Sequence, residues 1–331
     1  MSEAVMVQVR AAWYKLDYLP VSFFGAVMGL AGLSIAWRLA YDNFGMPVWI
    51  SDTLGWTAIA AFALLGIGYL SKLFNAPQAV LSEFRHPIAG NLFGTIPVSL
   101  LLLPIVLSPR DLCLARIMWA IGACSMVLFA WIIVHRWMSD RQQIVHATPA
   151  WIVPVVGMLD VPLAVPSLAW PEMHAVMVLG LAVGLFFAMP LFTLIFSRLV
   201  FEPPIPDVLL PSLMILIAPA AVGFSAYVAT TGHVDLFAES LFMVTLFLLA
   251  VLARRLRHLM TCCPFKVSWW AVSFPLAACA VSAVKFAAAR PGWAADIVAR
   301  GILFVVTIVI FGLLLRTIIG VVRGELRGLS N

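Results

Sequence analysis

Phe274 and Pro275 stand side by side near the middle of an apolar stretch, Pro264–Arg290, which reads PFKVSWWAVSFPLAACAVSAVKFAAAR. Proline inside a helix removes a backbone hydrogen bond and bends the axis. In hydrocarbon the freed carbonyl must find a partner in protein or water. A helix with such a break faces other helices or a cavity. The chemistry it offers is steric: a pore wall, with Phe274 as a plug. Phenylalanine occurs 22 times in the chain, so packing between helices is the other reading of this ring.

Groups that could make or break bonds are placed elsewhere. His86, His135, His146, His174, His233 and His258 fall at the ends of apolar stretches or between them. On this reading no apolar stretch carries a carboxylate or histidine at its centre, and Asp160 and Glu172 belong to the link between the fifth and sixth stretches. Lys285, Arg116 and Arg300 lie toward stretch ends, where long side chains reach the interface. No metal-binding histidine pair, nucleophile elbow or phosphate-binding glycine loop occurs. The five cysteines lack metal-type spacing, and the adjacent Cys262 and Cys263 are poorly placed for a disulfide. The expectation is no catalytic residue, no metal and no cofactor. A charge at the bilayer centre costs at least about 2.5–3.5 kcal/mol, so its absence argues against a proton or sodium relay. What remains is a narrow, uncharged, apolar-lined conduit. A basic face and the partial positive charge of broken-helix N-termini would favour anions there, with large, weakly hydrated ones passing best.

The elements that hold these residues are spans. The chain is 63% hydrophobic and 11% charged, against about 25% charged in soluble domains, so it reads as a polytopic membrane protein. Its net charge of +5 lies in short loops beside apolar spans and does not imply nucleic acid. Ten candidate spans are expected: Leu19–Ala40, Asp52–Leu73, His86–Leu107, Leu112–His135, Thr148–Ser167, Glu172–Arg198, Asp207–Thr230, Asp235–Arg257, Pro264–Ala289 and Trp293–Val322. Residues 1–331 form one domain, with an interfacial N-terminal segment 1–18, not a signal peptide, and a tail 323–331. Pro20, Pro87, Pro149 and Pro264 suit first turns, and Asp52, Thr148, Asp207 and Asp235 suit N-caps. An even number of spans puts both termini on one face. That face receives 14 of the 20 Lys and Arg residues, the other six being Arg38, Arg110, Arg116, Lys285, Arg290 and Arg300, so both termini are expected in the cytoplasm.

Odd and even spans differ. Pro97, Pro154, Pro219 and Pro275 fall within the third, fifth, seventh and ninth spans at intervals of 57, 65 and 56 residues. The first span has Gly25, Gly29 and Gly32 in place of a proline; among even spans only the sixth has one, Pro190. The pattern predicts a repeat of about 60 residues in which a weak helix precedes a regular one. Five such hairpins would set the bent helices in an inner ring and the regular ones outside.

Several stretches carry a family resemblance. Phe23-Phe24-Gly25 with Gly29 and Trp37 resembles the first span of the tellurite-resistance/dicarboxylate transporter family, which includes TehA and the plant slow anion channels. Glu83-Phe-Arg-His86-Pro87 with Ile96-Pro97 resembles the third span, His146-Ala-Thr-Pro149 with Pro154 the fifth, and Leu216-Ile-Ala-Pro219 through Tyr227 the seventh. Ser268-Trp-Trp270-Ala-Val-Ser-Phe274-Pro275 resembles the ninth, especially that of the plant channels. The resemblance implies ten helices in five hairpins around a quasi-fivefold pore, homotrimers with a pore in each protomer, and a bacterial inner-membrane location. It implies that Phe274 is the gate and that Gly25 leaves room beside its ring. Gly29, Pro97, Pro154, Pro219 and Pro275 are then pore-lining or kink positions. Implied substrates are chloride, nitrate and similar anions through a channel, or C4-dicarboxylate, sulfite or tellurite-related anions through a carrier. A structural scaffold and a membrane enzyme are weaker readings.

Overall fold

The structure is a computed structural model; it describes residues 17–262 and 265–330, with side chains except those of 255–262, 326 and 330. The expected interfacial segment ahead of Asp17, the helix-entry role of Pro264 and the Cys262–Cys263 pair lie outside that description.

Ten apolar helices account for most of the chain. They are α1 Val21–Phe44, α2 Val48–Asn75, α3 Ala89–Leu107, α4 Leu112–Ser139, α5 Pro149–Ala164, α6 Pro171–Phe201, α7 Asp207–Thr231, α8 Leu236–Cys262, α9 Val267–Ala289 and α10 Trp293–Val322. Among the described residues nine are long and apolar enough to cross a membrane, and α5 is the shorter tenth. Each expected span has its helix. The short helix Pro77–Arg85, between α2 and α3, was not anticipated. Nor was the position of Asp52, which lies inside α2 and pairs with Arg110 at 2.7 Å instead of capping a helix. Asp235 does cap α8, accepting from the Ala238 N–H at 3.0 Å. The Tyr227 hydroxyl also donates to Asp235, at 2.6 Å, and holds that carboxyl below the usual carboxylate range.

Each odd helix packs on the even helix that follows it, giving five hairpins. The odd helices also touch one another in a closed cycle: α1 with α3, α3 with α5, α5 with α7, α7 with α9, and α9 with α1. Burial divides them the same way. Over the most apolar 18 residues of each helix, 61–78% are buried in α1, α3, α7 and α9, against 22–39% in α2, α4, α6, α8 and α10. Side-chain size explains the division, because lipid is as apolar as any helix and hydrophobicity alone cannot sort the two sets. Inner helices are rich in Gly, Ala and Ser, as in Ala277-Ala278-Cys279-Ala280 of α9, so backbones approach closely. Outer helices present Phe186, Phe247, Phe304 and Phe311 outward. Indole N–H groups tie the layers: Trp37 donates to Thr307 and Trp270 to Thr317, both at 3.0 Å.

The mid-span prolines do not kink continuous α-helices. Each inner helix opens in tighter 3-10 geometry, over Val21–Phe23, Ala89–Gly94, Pro149–Ile152, Asp207–Ile217 and Val267–Val272, and then becomes α. Pro97, Pro154, Pro219 and Pro275 fall in the first turn of the following α segments, which begin at Thr95, Val153, Ala218 and Ser273. A first-turn residue has no carbonyl four residues back within its α segment, so the missing N–H costs little there. Gly25 holds the matching place in α1, second in the α segment Phe24–Phe44. Five equivalent junctions therefore ring the axis. Pro190, by contrast, lies inside the α segment of α6 and is exposed.

Gly29 marks the closest approach in this ring. A Cβ there would overlap the Ser273 side chain, whose hydroxyl lies within hydrogen-bond reach of the Trp270 and Gly25 carbonyls at 2.7 and 3.2 Å. Gly29→Val is expected to force α1 off α9 and destabilise the protein by about 1–3 kcal/mol. A lower midpoint in detergent thermal unfolding checks this. An unchanged midpoint would show that the two helices can separate freely.

Candidate conduit and its constriction

The closed ring encloses two cavities, of about 300 and 400 Å³. Both are lined only by residues of the five inner helices and their adjoining turns. The first lies toward the ends where the odd helices begin and takes Ser22, His86, Thr148, Val267 and Ser268 at its mouth. The second lies toward the ends where those helices finish and takes Ser167, Gly232 and Lys285.

The cavities meet at one layer. Along α1 the lining passes from the first cavity to the second between Met28 and Gly32, along α3 between Val98 and Leu102, and along α5 between Asp160 and Leu163. Val222 of α7 and Phe274 of α9 line both. The Phe274 ring thus stands between the two spaces, half-buried, on the last residue before Pro275.

The sequence-derived site residues divide into two groups. Gly25, Phe274 and Pro275 line the first cavity; Gly29, Pro97, Pro154 and Pro219 line neither, and the three prolines set the junction geometry behind the wall. Gly25 shares the first cavity with Phe274, and a second glycine of α1 stands nearer the ring. The atoms nearest a Cβ on Gly25 belong to Trp270, at 3.6–3.9 Å, whereas a Cβ on Gly32 would meet the Ala277 Cβ at 2.8 Å and then the Phe274 ring at 3.9 Å. The reason is axial level: Gly32 lies two turns beyond Gly25 on the same face of α1, at the level of the constriction.

The uncharged wall is corrected. Asp160 is not in a loop. It lies inside α5, is 2% exposed, lines the first cavity and is the last residue of its helix to do so. One of its carboxylate oxygens, Oδ1, is buried without a hydrogen-bond partner. The sequence reading set the fifth span at Thr148–Ser167, which includes Asp160, yet counted the residue with the link that follows; the structure continues α5 through Pro149, Pro154 and Pro162 in short 3-10 and α pieces to Ala164. The available signal was its flank: Val155 to Leu159 before it and Val161 to Ala164 after it contain no other polar residue. The turn after α5 is held by Arg116, which donates to the Leu168 and Ala169 carbonyls, and the last turn of α5 by Trp119, whose indole donates to the Val161 carbonyl at 2.9 Å. Thr148 Oγ1 and Ser268 Oγ, also on the first cavity, and Ser225 Oγ on the second are likewise buried without protein partners. No group of His, Cys, Asp and Glu suited to a metal ion occurs among the described residues.

The mouth of the first cavity rests on a buried charge cluster. Glu83, in the helix Pro77–Arg85, accepts from the Val21 N–H at 2.7 Å through Oε1, and through Oε2 from Lys72 at 2.7 Å and the Tyr69 hydroxyl at 3.0 Å. Lys72 also donates to the Leu19 carbonyl at 2.8 Å. Glu83 thus supplies the partner that the first N–H of α1 lacks.

A ring of five broken helices inside five regular ones, with an axial path narrowed at a single layer, defines a membrane conduit for small solutes. The chain belongs to the SLAC1 family, described as voltage-dependent anion channels, whose model matches residues 18–318. It is 27% identical over 325 residues to the S-type anion channel SLAH3 of Arabidopsis thaliana, covering 96% of this chain and 51% of that one. It is 28% identical over 283 residues to the tellurite resistance protein TehA homolog of Haemophilus influenzae, covering 81% of each. It is 26% identical over 279 residues to the uncharacterized transporter MJ0762 of Methanocaldococcus jannaschii, covering 77% of this chain and 81% of that one. The chain thus spans about half the length of the plant channel it matches.

Proposed function

We propose that this protein is an anion channel in which small monovalent anions, chloride and nitrate among them, cross along the axis of the inner ring, with Phe274 as the gate. The observation that carries the reading is the position of Phe274 as the one aromatic side chain bordering both cavities. Removing one ring would join two spaces of about 300 and 400 Å³ into a continuous path. The family and the plant relative's name as an anion channel support the choice of ion. Hydroxyls at the mouth, Lys285 in the second cavity and broken-helix N-termini supply donors and positive potential without a fixed binding site. The family also supports a single ten-helix domain, a homotrimer with one conduit per protomer, and an inner-membrane location with both termini cytoplasmic, in agreement with the charge distribution.

Planar-bilayer recording of the purified protein under ion substitution tests the proposal. Reversal potentials should follow the chloride or nitrate gradient and ignore replacement of sodium by a large organic cation. Comparable cation permeation would refute it. A carrier for C4-dicarboxylate, sulfite or tellurite-related anions is the second reading, and Asp160 is the observation that favours it, because coupled carriers use titratable groups at membrane depth. Saturating flux would select the carrier, and linear current–voltage behaviour the channel.

A further inference from the structure

We propose that Asp160 is a proton-binding site in the constriction, and that anions pass only when its carboxyl is protonated. The inference rests on the anion-conduit reading and adds a second ligand, the proton, to the same path.

Three observations meet at this residue. Asp160 is the deepest residue of α5 in the first cavity, at the layer where Val222 and Phe274 border both cavities. It is 2% exposed, and Oδ1 has no hydrogen-bond partner in the protein. No ion pair among the described residues neutralises it: the charged groups of the nearby helices lie at helix ends, bond other groups or line the other cavity. From α4, Arg116 bonds the Leu168 and Ala169 carbonyls and Arg136 the Phe84 carbonyl. From α7, Tyr227 bonds Asp235, and Asp207 sits at the helix start. On α6, Glu172 and His174 lie at the start, and Arg198, buried with Nε and Nη1 unpartnered, lies in the last turn at the opposite end; His135 lies near the end of α4. Of the titratable groups around α3, only His86 shares the cavity, at its exposed mouth. Lys285 of α9 lines the other cavity.

An unpaired carboxylate at the narrowest layer repels an anion at the point where it has fewest other partners. The protonated carboxyl removes that charge and presents an O–H donor instead. One proton thus turns the layer from a barrier into a contact. A residue placed there solely for packing would need no charge at all, and an intramembrane carboxylate facing a cavity is a functional flag.

The test uses purified protein in proteoliposomes and chloride influx read by an entrapped dye that chloride quenches. To remove the gate from the comparison, it is run in Phe274→Ala as well as wild type, from pH 5 to pH 8. We expect influx to fall at least tenfold across that range, and Asp160→Asn, which keeps the shape and cannot ionise, to hold the acid-side rate throughout. Dicyclohexylcarbodiimide, which couples to protonated carboxyls in apolar sites, provides a readout on the unmutated protein. Mass mapping should find it on Asp160, increasingly as pH falls. A pH profile that Asp160→Asn keeps and His86→Gln loses would overturn the proposal. So would influx set by sodium at fixed pH, or no labelling of Asp160 at any pH. If Asp160→Asn does not reach the membrane folded, the labelling decides. Absence of influx from both wild type and Phe274→Ala at every pH would overturn the conduit reading and this proposal with it.

Discussion

Phe274→Ala is expected to raise anion conductance at least tenfold over wild type in planar bilayers. A tenfold change in rate corresponds to about 1.4 kcal/mol of barrier, a modest demand on a group that separates two cavities. The ring is half-buried and borders open space on both sides, so its removal leaves fewer broken contacts than a core phenylalanine would. The variant should therefore fold, and its unfolding midpoint should stay close to wild type. Phe274→Leu should give an intermediate conductance, since it keeps apolar bulk and loses the planar ring. The prediction also separates gate from wall. Trp270, one turn earlier, is 1% exposed and bonds Thr317 of α10, so Trp270→Ala should lower stability rather than open the path. Phe274→Ala with wild-type conductance, or Trp270→Ala with the larger conductance, would remove Phe274 from the gate.

Much of the architecture was legible because membranes impose strict rules. Lipid requires backbone hydrogen bonds to be satisfied within the segment, so apolar length and Lys and Arg asymmetry define spans well. The inner ring was legible for a different reason. Pro97, Pro154, Pro219 and Pro275 recur on alternate helices, and the structure gives that recurrence a cause in the junction from 3-10 to α geometry. What was not legible depended on geometry across the ring. The axial register of α1 against α9, rather than a motif, decides that Gly32 stands nearer the Phe274 ring than Gly25 does. Asp160 fell inside the expected fifth span, Thr148–Ser167, yet was counted with the link after it; only the fold shows that the helix runs on through Pro154 and Pro162 and that every residue from Pro149 to Val161 is buried or half-buried. The half-buried Glu83 was quoted only as part of a motif, because its partners Val21, Tyr69 and Lys72 are brought together by folding alone.

That cluster carries the largest stability effect expected in the protein. Lys72 and Glu83 are 5% and 14% exposed, and the pair is 2.7 Å apart. Glu83→Ala would leave a buried ammonium with only the Leu19 carbonyl, and would strand the Val21 N–H and Tyr69 hydroxyl. Breaking a buried pair from one side costs about 3–5 kcal/mol, chiefly because a charge is left without compensation. Glu239→Ala is the comparison. It breaks an ion pair with Arg290 of similar length, 2.6 Å, but the two side chains are 30% and 53% exposed. Water screens that pair, so its loss should cost about 1 kcal/mol or less. Thermal unfolding in detergent should therefore place Glu83→Ala far below Glu239→Ala. The double variant Glu83→Ala with Lys72→Met should recover much of the loss, because no unpaired charge remains. Equal midpoints for the two single variants would show that water reaches the Glu83 cluster. The cluster also reaches the conduit, since it holds the first turn of α1, whose Ser22 and Gly25 line the first cavity. Glu83→Ala should thus lower the conductance of any protein that still folds, and the double variant, which still leaves the Val21 N–H without its acceptor, should regain stability more fully than conductance.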